Sequence, residues 1–384
     1  MRFLVLGGGA QGSAAAYDLL TSTPDSQVVV ADIRVGDPPA FLRGFPPARL
    51  SFTALDATDG VAVARAMEGM DAVLCGLPYY LNYDMAALAV EAGAHFCDLG
   101  GNTEIVERQR GLDGRAREKG VSVVADCGLA PGMVNILAQA GIDALDETDS
   151  VRMWVGGLPQ HPRPPLNYQV VYSLEGVLDY YTTPGVILKD GEKVPVEPLD
   201  GMEILDLPGV GKVEAFFTAG GISTMPDRYE GRIPRMEYKT VRYPGHAHIM
   251  RAIRELGLLS QDPVELDGAD MIPRQAFIAV VKPHLQNPEG NDLVVARVEV
   301  RGRSNGKATG LRWDLLDHYD AATGITAMMR TTGFSLAITA LLQTESGAVE
   351  AGVHTPDEAI PADAYVDALA RRGVRIHREE LREE

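Results

Sequence analysis

The chain has 384 residues, 46% of them apolar and 23% charged, with a formal net charge of −18. That length holds two domains with a sizeable core, and the acidic balance argues against nucleic acid or an anionic membrane surface as a partner. Three scattered cysteines without C-x-x-C spacing argue against a zinc site or a disulfide framework and fit buried thiols in a reducing cytoplasm.

The elements follow in chain order. Arg2–Leu6 is an apolar run of strand length that breaks into Gly7-Gly8-Gly9-Ala10-Gln11-Gly12, and Ser13–Leu20 reads as a helix. Strand, G-x-G-x-x-G and helix together form a dinucleotide fingerprint. Gly7 makes the tight turn, Gly9 admits the pyrophosphate, and Gly12 lets helix and strand approach. The free N–H groups of the helix start face the phosphates. Gln27–Ala31 is a second strand ending in Asp32, twenty residues after Gly12, where a carboxylate holds the adenosine ribose and repels a 2′-phosphate. The expected cofactor is therefore NAD, although Arg34 two residues on could accommodate that phosphate.

Strand–helix units continue with Leu50–Leu55, Gly60–Met67, Ala72–Gly76, Asp84–Ala92, His95–Leu99, a charged helix over Thr103–Lys119, and Val121–Ala125. This rhythm predicts a doubly wound parallel sheet with its ligand at the carboxyl ends of the strands. After Met133–Ala144 the pattern changes. Ser150–Val155 is a strand, and Asp190-Gly191 and Asn305-Gly306 each sit between β-type runs as hairpin turns. His246–Leu256 reads as a helix, Thr326–Leu342 as an apolar helix too polar in its middle to span a membrane, and the tail as a charged helix. The fold class is thus α/β, a Rossmann sheet with a second α+β domain on a mixed or antiparallel sheet. The N-terminus reads as a core strand rather than a signal peptide, which makes the cytoplasm the expected location.

Several segments resemble the saccharopine dehydrogenase-like oxidoreductases, and most closely the lysine 6-dehydrogenase branch. They are L-G-G-G-A-Q-G at the start, E-A-G-A-H-F-C-D-L-G-G (91–101), D-C-G-L-A-P-G-M-V-N-I-L-A (126–138), G-G-L-P (156–159), P-P-L-N-Y (164–168), Y-S-L-E-G (172–176), E-A-F-F-T-A-G-G-I-S-T-M (214–225), Y-K-T-V-R-Y-P-G-H (238–246) and A-M-M-R-T-T-G-F (327–334). The resemblance implies a discontinuous Rossmann domain, residues 1–130 with 326–384 returning to it, and a substrate and oligomerisation domain over 131–325. It implies NAD-dependent oxidative deamination at the ε-carbon of L-lysine, giving aminoadipate semialdehyde that cyclises to a piperideine carboxylate, and a homodimer or higher homo-oligomer. Two alternatives stay open: a saccharopine or carboxynorspermidine dehydrogenase acting on a secondary amine, and a non-catalytic NAD-binding sensor or partner subunit.

Amine oxidation needs a neutral amine, a carbon held against the nicotinamide, and an anchor for the remote carboxylate. Arg242 is the candidate anchor, since its fork matches a carboxylate. Glu175 is a candidate for the substrate ammonium, and Tyr79 and Asn135 for lining the substrate. Asp98, Lys239 and His246 are the candidate proton-handling residues, each with a structural alternative as a loop acid, a strand lysine or a helix-start histidine. The strand-end loops supply the cofactor candidates Gly7, Gly9, Ala10, Gln11, Gly12, Asp32, Ile33, Asp56, Ala57, Leu77, Pro78, Asp98, Gly100 and Gly128. No spacing of His, Cys or acidic residues suggests a metal.

Overall fold

Short runs that are apolar at every position need cover on both faces, and the first sheet meets that need. In the computed structural model, which describes residues 1–286, 291–345 and 347–382, seven strands lie parallel. Their order is Gly352–His354, Ser122–Val124, His95–Asp98, Ala72–Cys75, Arg2–Leu6, Gln27–Asp32 and Leu50–Ala54. Ala72–Cys75 is buried at every position, as is Arg2–Leu6 beyond its first residue. The order reverses between these two strands, the point at which a doubly wound sheet receives its ligand. The α/β class expected from the sequence is the one observed.

The chain divides into two units, Met1–Asp143 with Asp320–Ile376, and Ala144–Tyr319 with His377 onward. Three details differ from the sequence reading. The first unit runs to Asp143 rather than residue 130, because the helix Met133–Asp143 packs on Pro356–Ala359 and Ala362–Arg371. The charged stretch Thr103–Lys119 is two helices, Thr103–Arg110 and Asp113–Lys119, with Leu112 turned inward at the break. The tail does not stay with the first unit. After the helix Ala362–Arg371, residues Ile376–Arg382 form an edge strand of the second sheet. The expected spans 131–325 and 326–384 also take in residues 287–290, 346 and 383–384, which lie outside the described residues.

The second sheet has nine strands. At its centre the long strand Glu147–Pro159 pairs in parallel with Arg235–Arg242 and antiparallel with Asp292–Ser304, which pairs on with Lys307–His318. Both expected hairpin turns form, with Asp190-Gly191 and Asn305-Gly306 all at positive φ, the type I′ requirement. Glu203–Leu207 lies three strands from Glu147–Pro159, about 14 Å away if the sheet were flat. Yet Glu203 accepts from Arg152 Nη2 at 2.9 Å and from Trp154 Nε1 at 2.8 Å, so this sheet curls strongly. Among the described residues no helix is long and apolar enough to cross a membrane.

Within the first unit the returning helix Ala327–Thr344 lies on the helix Ala10–Ser22 and against the strands Ala72–Cys75 and His95–Asp98. Gly333 makes this approach possible, since a Cβ there would come within 2.7 Å of both the Gln11 carbonyl oxygen and Ala14 Cβ. Gln343 Nε2 reaches the Phe96 and Ser122 carbonyls at 2.9 and 3.1 Å. A buried ion pair joins the last helix to the first, with Arg372 Nε donating to Asp18 Oδ1 at 2.5 Å while Asp18 Oδ2 has no partner. Burial raises the Asp18 carboxyl above its usual range against the pull of Arg372. Arg372→Ala strands that carboxylate and should cost about 3–5 kcal/mol. Adding Asp18→Asn should recover most of the loss, because the unpaired charge is then gone. Thermal denaturation of the two variants checks this, and a double variant no more stable than Arg372→Ala would contradict it.

Candidate functional site

In the first unit the crevice end of the sheet is built from glycine. Gly7, at φ 97°, crosses directly over the loop after Ala72–Cys75, and a Cβ on it would lie 2.9 Å from the Gly76 oxygen. A Cβ on Gly12 would run into the Gly7 carbonyl oxygen. Gly9, by contrast, has nothing within 4 Å of where a Cβ would be, so its face is open. It is the N-cap of Ala10–Ser22, and among the described residues no side chain caps the start of that helix. Beside it, both polar atoms of the Gln11 amide are buried and unpartnered. Asp32 Oδ2 accepts from Gly8 N at 2.7 Å and Oδ1 from Arg34 N at 3.0 Å, so the carboxylate is pinned at the end of its strand. Next to it Ile33 is 66% exposed. An open glycine face, an uncapped helix start, an orphaned amide and an anchored ribose-position acid together fit a dinucleotide.

The other strand-end candidates divide. Asp56 is exposed and accepts from Thr58 N and Oγ1 at 2.9 and 2.7 Å, which hold its carboxyl below the usual range. Ala57, Leu77 and Tyr79 are half-buried, while Pro78 and Tyr80 are exposed; Tyr80 packs its ring edge-on to Tyr79. Asp98 is wholly buried and accepts from Gly100 N and Gln109 Nε2, each at 2.7 Å, and from Asp126 N at 3.3 Å. Burial raises its carboxyl against those three bonds. It organises the loops around Gly100, at φ 68°, and Asp126, at φ 63°, and has no open face from which to take a substrate proton. Asn135 Oδ1 accepts from Gly132 N at 2.8 Å and fixes the 128–132 turn. Gly128 is buried in that turn, its carbonyl taken by Ser335 Oγ at 3.1 Å and Met133 N at 2.9 Å. Asn135 and Gly128 thus hold backbone rather than face a ligand.

The second unit centres on Arg242, the last residue of Arg235–Arg242. Tyr243, Pro244 and Gly245, the last at φ 96°, turn the chain into the helix His246–Glu255, so Arg242 and His246 emerge side by side. Arg242 is 4% exposed, and among the described residues it forms no ion pair. Its Nε donates to Tyr181 Oη at 3.1 Å, Nη1 donates to the Val241 carbonyl at 2.9 Å, and its guanidinium carbon lies 4.9 Å over the Tyr168 ring. The carboxylate directly across the ladder, Glu214, is diverted. Its oxygens accept from Gly245 N and Ala247 N at 2.7 and 2.5 Å and cap the helix start. Tyr181 also bonds His246 Nε2 at 2.9 Å, and His246 Nδ1 lies 3.1 Å from the Leu166 carbonyl. Burial and then the positive Arg242 push the His246 imidazole down to about 3. The Tyr168 hydroxyl is buried. A small apolar cavity, lined by Leu166, Leu174, Val177, Met250 and Phe277, opens beside the two tyrosines and His246.

Two candidates fall outside this cluster. Lys239 is three residues from Arg242 on one strand, hence on the opposite face of the sheet. There its Nζ donates to the Gly201 carbonyl at 2.7 Å, pairs with Glu203 at 2.9 Å and lies over the Phe217 ring, so it is a structural cation and not a base. Glu175 is exposed in the first turn of Leu174–Tyr180, which Ser173 caps, and points to solvent rather than to Arg242. A proton-carrying role for His246 does not fit a ring held neutral by burial. Sequence reasoning missed Tyr181, Tyr168, Glu214 and Leu166. Three of them, Leu166, Tyr168 and Glu214, lie inside family-like segments, but nothing in their spacing marks them.

Residues 3–124 match the family model described as saccharopine dehydrogenase NADP binding domain, and residues 128–374 the model described as saccharopine dehydrogenase C-terminal domain. The saccharopine dehydrogenase (NADP+, L-glutamate-forming) of Saccharomyces cerevisiae is 24% identical over 278 residues, covering 68% of this chain and 59% of that protein. The mitochondrial alpha-aminoadipic semialdehyde synthase of Mus musculus is 27% identical over 214 residues, covering 51% of this chain and 22% of that protein. The chain thus spans less than two thirds of these curated relatives. A solved structure, apo histidine-tagged saccharopine dehydrogenase (L-Glu forming) from Saccharomyces cerevisiae, matches with a TM-score of 0.81 over 99% of both chains at 19% identity, a likeness of fold.

The depressed His246 pKa gives a signed prediction. An unfolded histidine near pKa ~6.5 binds its proton before the folded one does, so His246 contributes stability that is present above that pH and is lost as pH falls toward about 3. Urea unfolding of the wild type and of His246→Gln should give a stability gap that is constant above about pH 6.5 and shifts in favour of the variant below it. A gap independent of pH would mean that His246 is not held neutral.

Proposed function

The chain belongs to the saccharopine dehydrogenase family, and from that premise we propose an NAD-dependent oxidoreductase that oxidises a carbon–nitrogen bond of a small amino acid, with L-lysine at its ε-carbon as the favoured substrate. The observation that carries the reading is the buried guanidinium of Arg242, which no carboxylate among the described residues neutralises. A buried cation without an anion is costly, and a substrate carboxylate completes it. Bound nicotinamide supplies the hydride acceptor. Gly7, Gly9, Ala10, Gln11 and Gly12 would hold the pyrophosphate, Asp32 the adenosine ribose, and exposed Ile33 the adenine. Asp32 favours NAD, since its charge repels a 2′-phosphate.

A single anchored carboxylate suits lysine better than saccharopine. Of the arginines that could clamp a second carboxylate, Arg152 and Arg235 are held by Glu203 and Glu237 and Arg228 and Arg232 lie over the Tyr229 ring, while Arg163 is exposed and stays available to the second reading. The relatives' own names favour saccharopine as the second reading. With Asp98, Lys239 and His246 all committed, no base of this chain is assigned, and the ammonium proton is lost to water. The rate should therefore rise toward the amine pKa of ~10.4.

The deciding assay follows NADH formation with L-lysine, saccharopine, carboxynorspermidine, ornithine and cadaverine. Turnover of lysine with ammonia release is the expected outcome; turnover of saccharopine alone would replace lysine by the second reading. Arg242→Ala should raise KM for lysine about tenfold to a hundredfold relative to cadaverine, which lacks the carboxylate. Asp32→Ala should weaken NAD binding and narrow its preference over NADP, measured by fluorescence titration of the reduced cofactors. An unchanged preference would remove Asp32 from the ribose.

A further inference from the structure

Four groups of the second unit form one hydrogen-bonded line: Arg242 Nε to Tyr181 Oη at 3.1 Å, Tyr181 Oη to His246 Nε2 at 2.9 Å, and His246 Nδ1 to the Leu166 carbonyl at 3.1 Å. The two ends, with the ring neutral, fix the direction of every proton. A guanidinium can only donate and a carbonyl can only accept. Arg242 therefore donates into the Tyr181 oxygen, and His246 must carry a proton on Nδ1 to meet Leu166. In the ring that burial and the Arg242 charge keep neutral, Nε2 is then an acceptor, and Tyr181 sends its own hydrogen there. Nδ1–H is the one neutral tautomer that satisfies all three contacts. Tyr181 and His246 are 1% and 2% exposed, so water does not substitute for either bond. The groups facing the imidazole are the Tyr168 and Tyr181 rings edge-on, the Phe216 ring stacked at 6.4 Å, and the charge of Arg242.

The line also decides which edge of Arg242 is free. Nε is spent on Tyr181, and one Nη1 hydrogen on Val241. What remains is Nη2 and the second Nη1 hydrogen, donors that a carboxylate accepts.

We propose that His246 is a positioning residue: as a neutral acceptor it locks the Tyr181 hydroxyl, and through it holds the Arg242 guanidinium with its remaining donors turned to the carboxylate of an amino-acid substrate. This rests on the reading of Arg242 as the carboxylate anchor. Tyr181 transmits the constraint, and neither it nor His246 moves a proton in the reaction.

The test uses the full chain loaded with NADH, which cannot accept a hydride, with L-lysine and cadaverine as probes, and reads the ratio of their dissociation constants by calorimetry. His246→Leu removes the acceptor; His246→Gln replaces Nε2 with an amide oxygen. The preference for lysine over cadaverine should fall about tenfold in His246→Leu and in Tyr181→Phe, and return in His246→Gln. If Arg242→Ala abolishes the preference while His246→Leu leaves it intact, the anchor stands and the positioning role is overturned. If Arg242→Ala itself leaves the preference intact, or the wild type shows none, the anchor fails and the proposal with it. A readout without substrate keeps the two apart. In protein labelled with 15N-histidine, the resonances lost in His246→Gln should report an Nδ1–H tautomer that does not titrate between about pH 5 and 8. An Nε2–H tautomer, or titration in that range, overturns the proposal whatever the substrate.

Discussion

A guanidinium taken out of water without a carboxylate must be solvated by dipoles that cannot leave. That constraint governs the second unit. Arg242 is held by a hydroxyl, a backbone carbonyl and an aromatic face, and each comes from a different part of the chain. The carboxylate that would have quenched it, Glu214, sits directly across the ladder and is turned aside by two backbone N–H groups of the next helix. One side chain thus serves two ends: it caps a helix, and by doing so it leaves its neighbour's charge unsatisfied.

The two faces of the same sheet treat charge in opposite ways. On the face away from Arg242, Arg152, Arg235 and Lys239 are each matched by Glu203 or Glu237. Those pairs are complete and leave nothing for a ligand. Their value is in holding the curled edge strand against the centre, where Glu203 also takes the Trp154 indole N–H. The first unit shows the same contrast. Asp98 has three backbone or amide donors and is closed, while the Gln11 amide has none and stands beside the open face of Gly9.

The parts of this arrangement that were legible in sequence are those set by local rules. The period of the strands, the glycine spacing and the two hairpin dipeptides are each decided within a dozen residues, and each reappears with nearly the expected bounds. Arg242 stood out because an arginine in R-Y-P-G-H has no local partner. What escaped depends on parity and on distant contacts. Counting along the strand puts Lys239 on the face opposite Arg242, a deduction available once the strand is known. No such count reaches Tyr181, which arrives from a helix end sixty-one residues earlier, nor distinguishes Asp98 as closed, since its partners Gln109 and Asp126 lie beyond its own loop. The strand Gly352–His354 is three residues of no distinct period, placed only by the sheet edge it completes.

That edge strand has a consequence for biosynthesis. The helix Ala10–Ser22 leaves the ribosome long before the helix that covers it, which begins at Ala327, and the sheet's last strand ends at His354. For most of translation the nucleotide-loop helix therefore lacks its packing partner. The intervening residues, Ala144–Tyr319, can form almost all of their own sheet before that partner exists. Domains commonly fold in the order in which they are made; here the chain's topology requires that the unit begun first be finished after the core of the unit begun second. The nascent protein is left with an apolar helix face to shield over some three hundred residues of elongation.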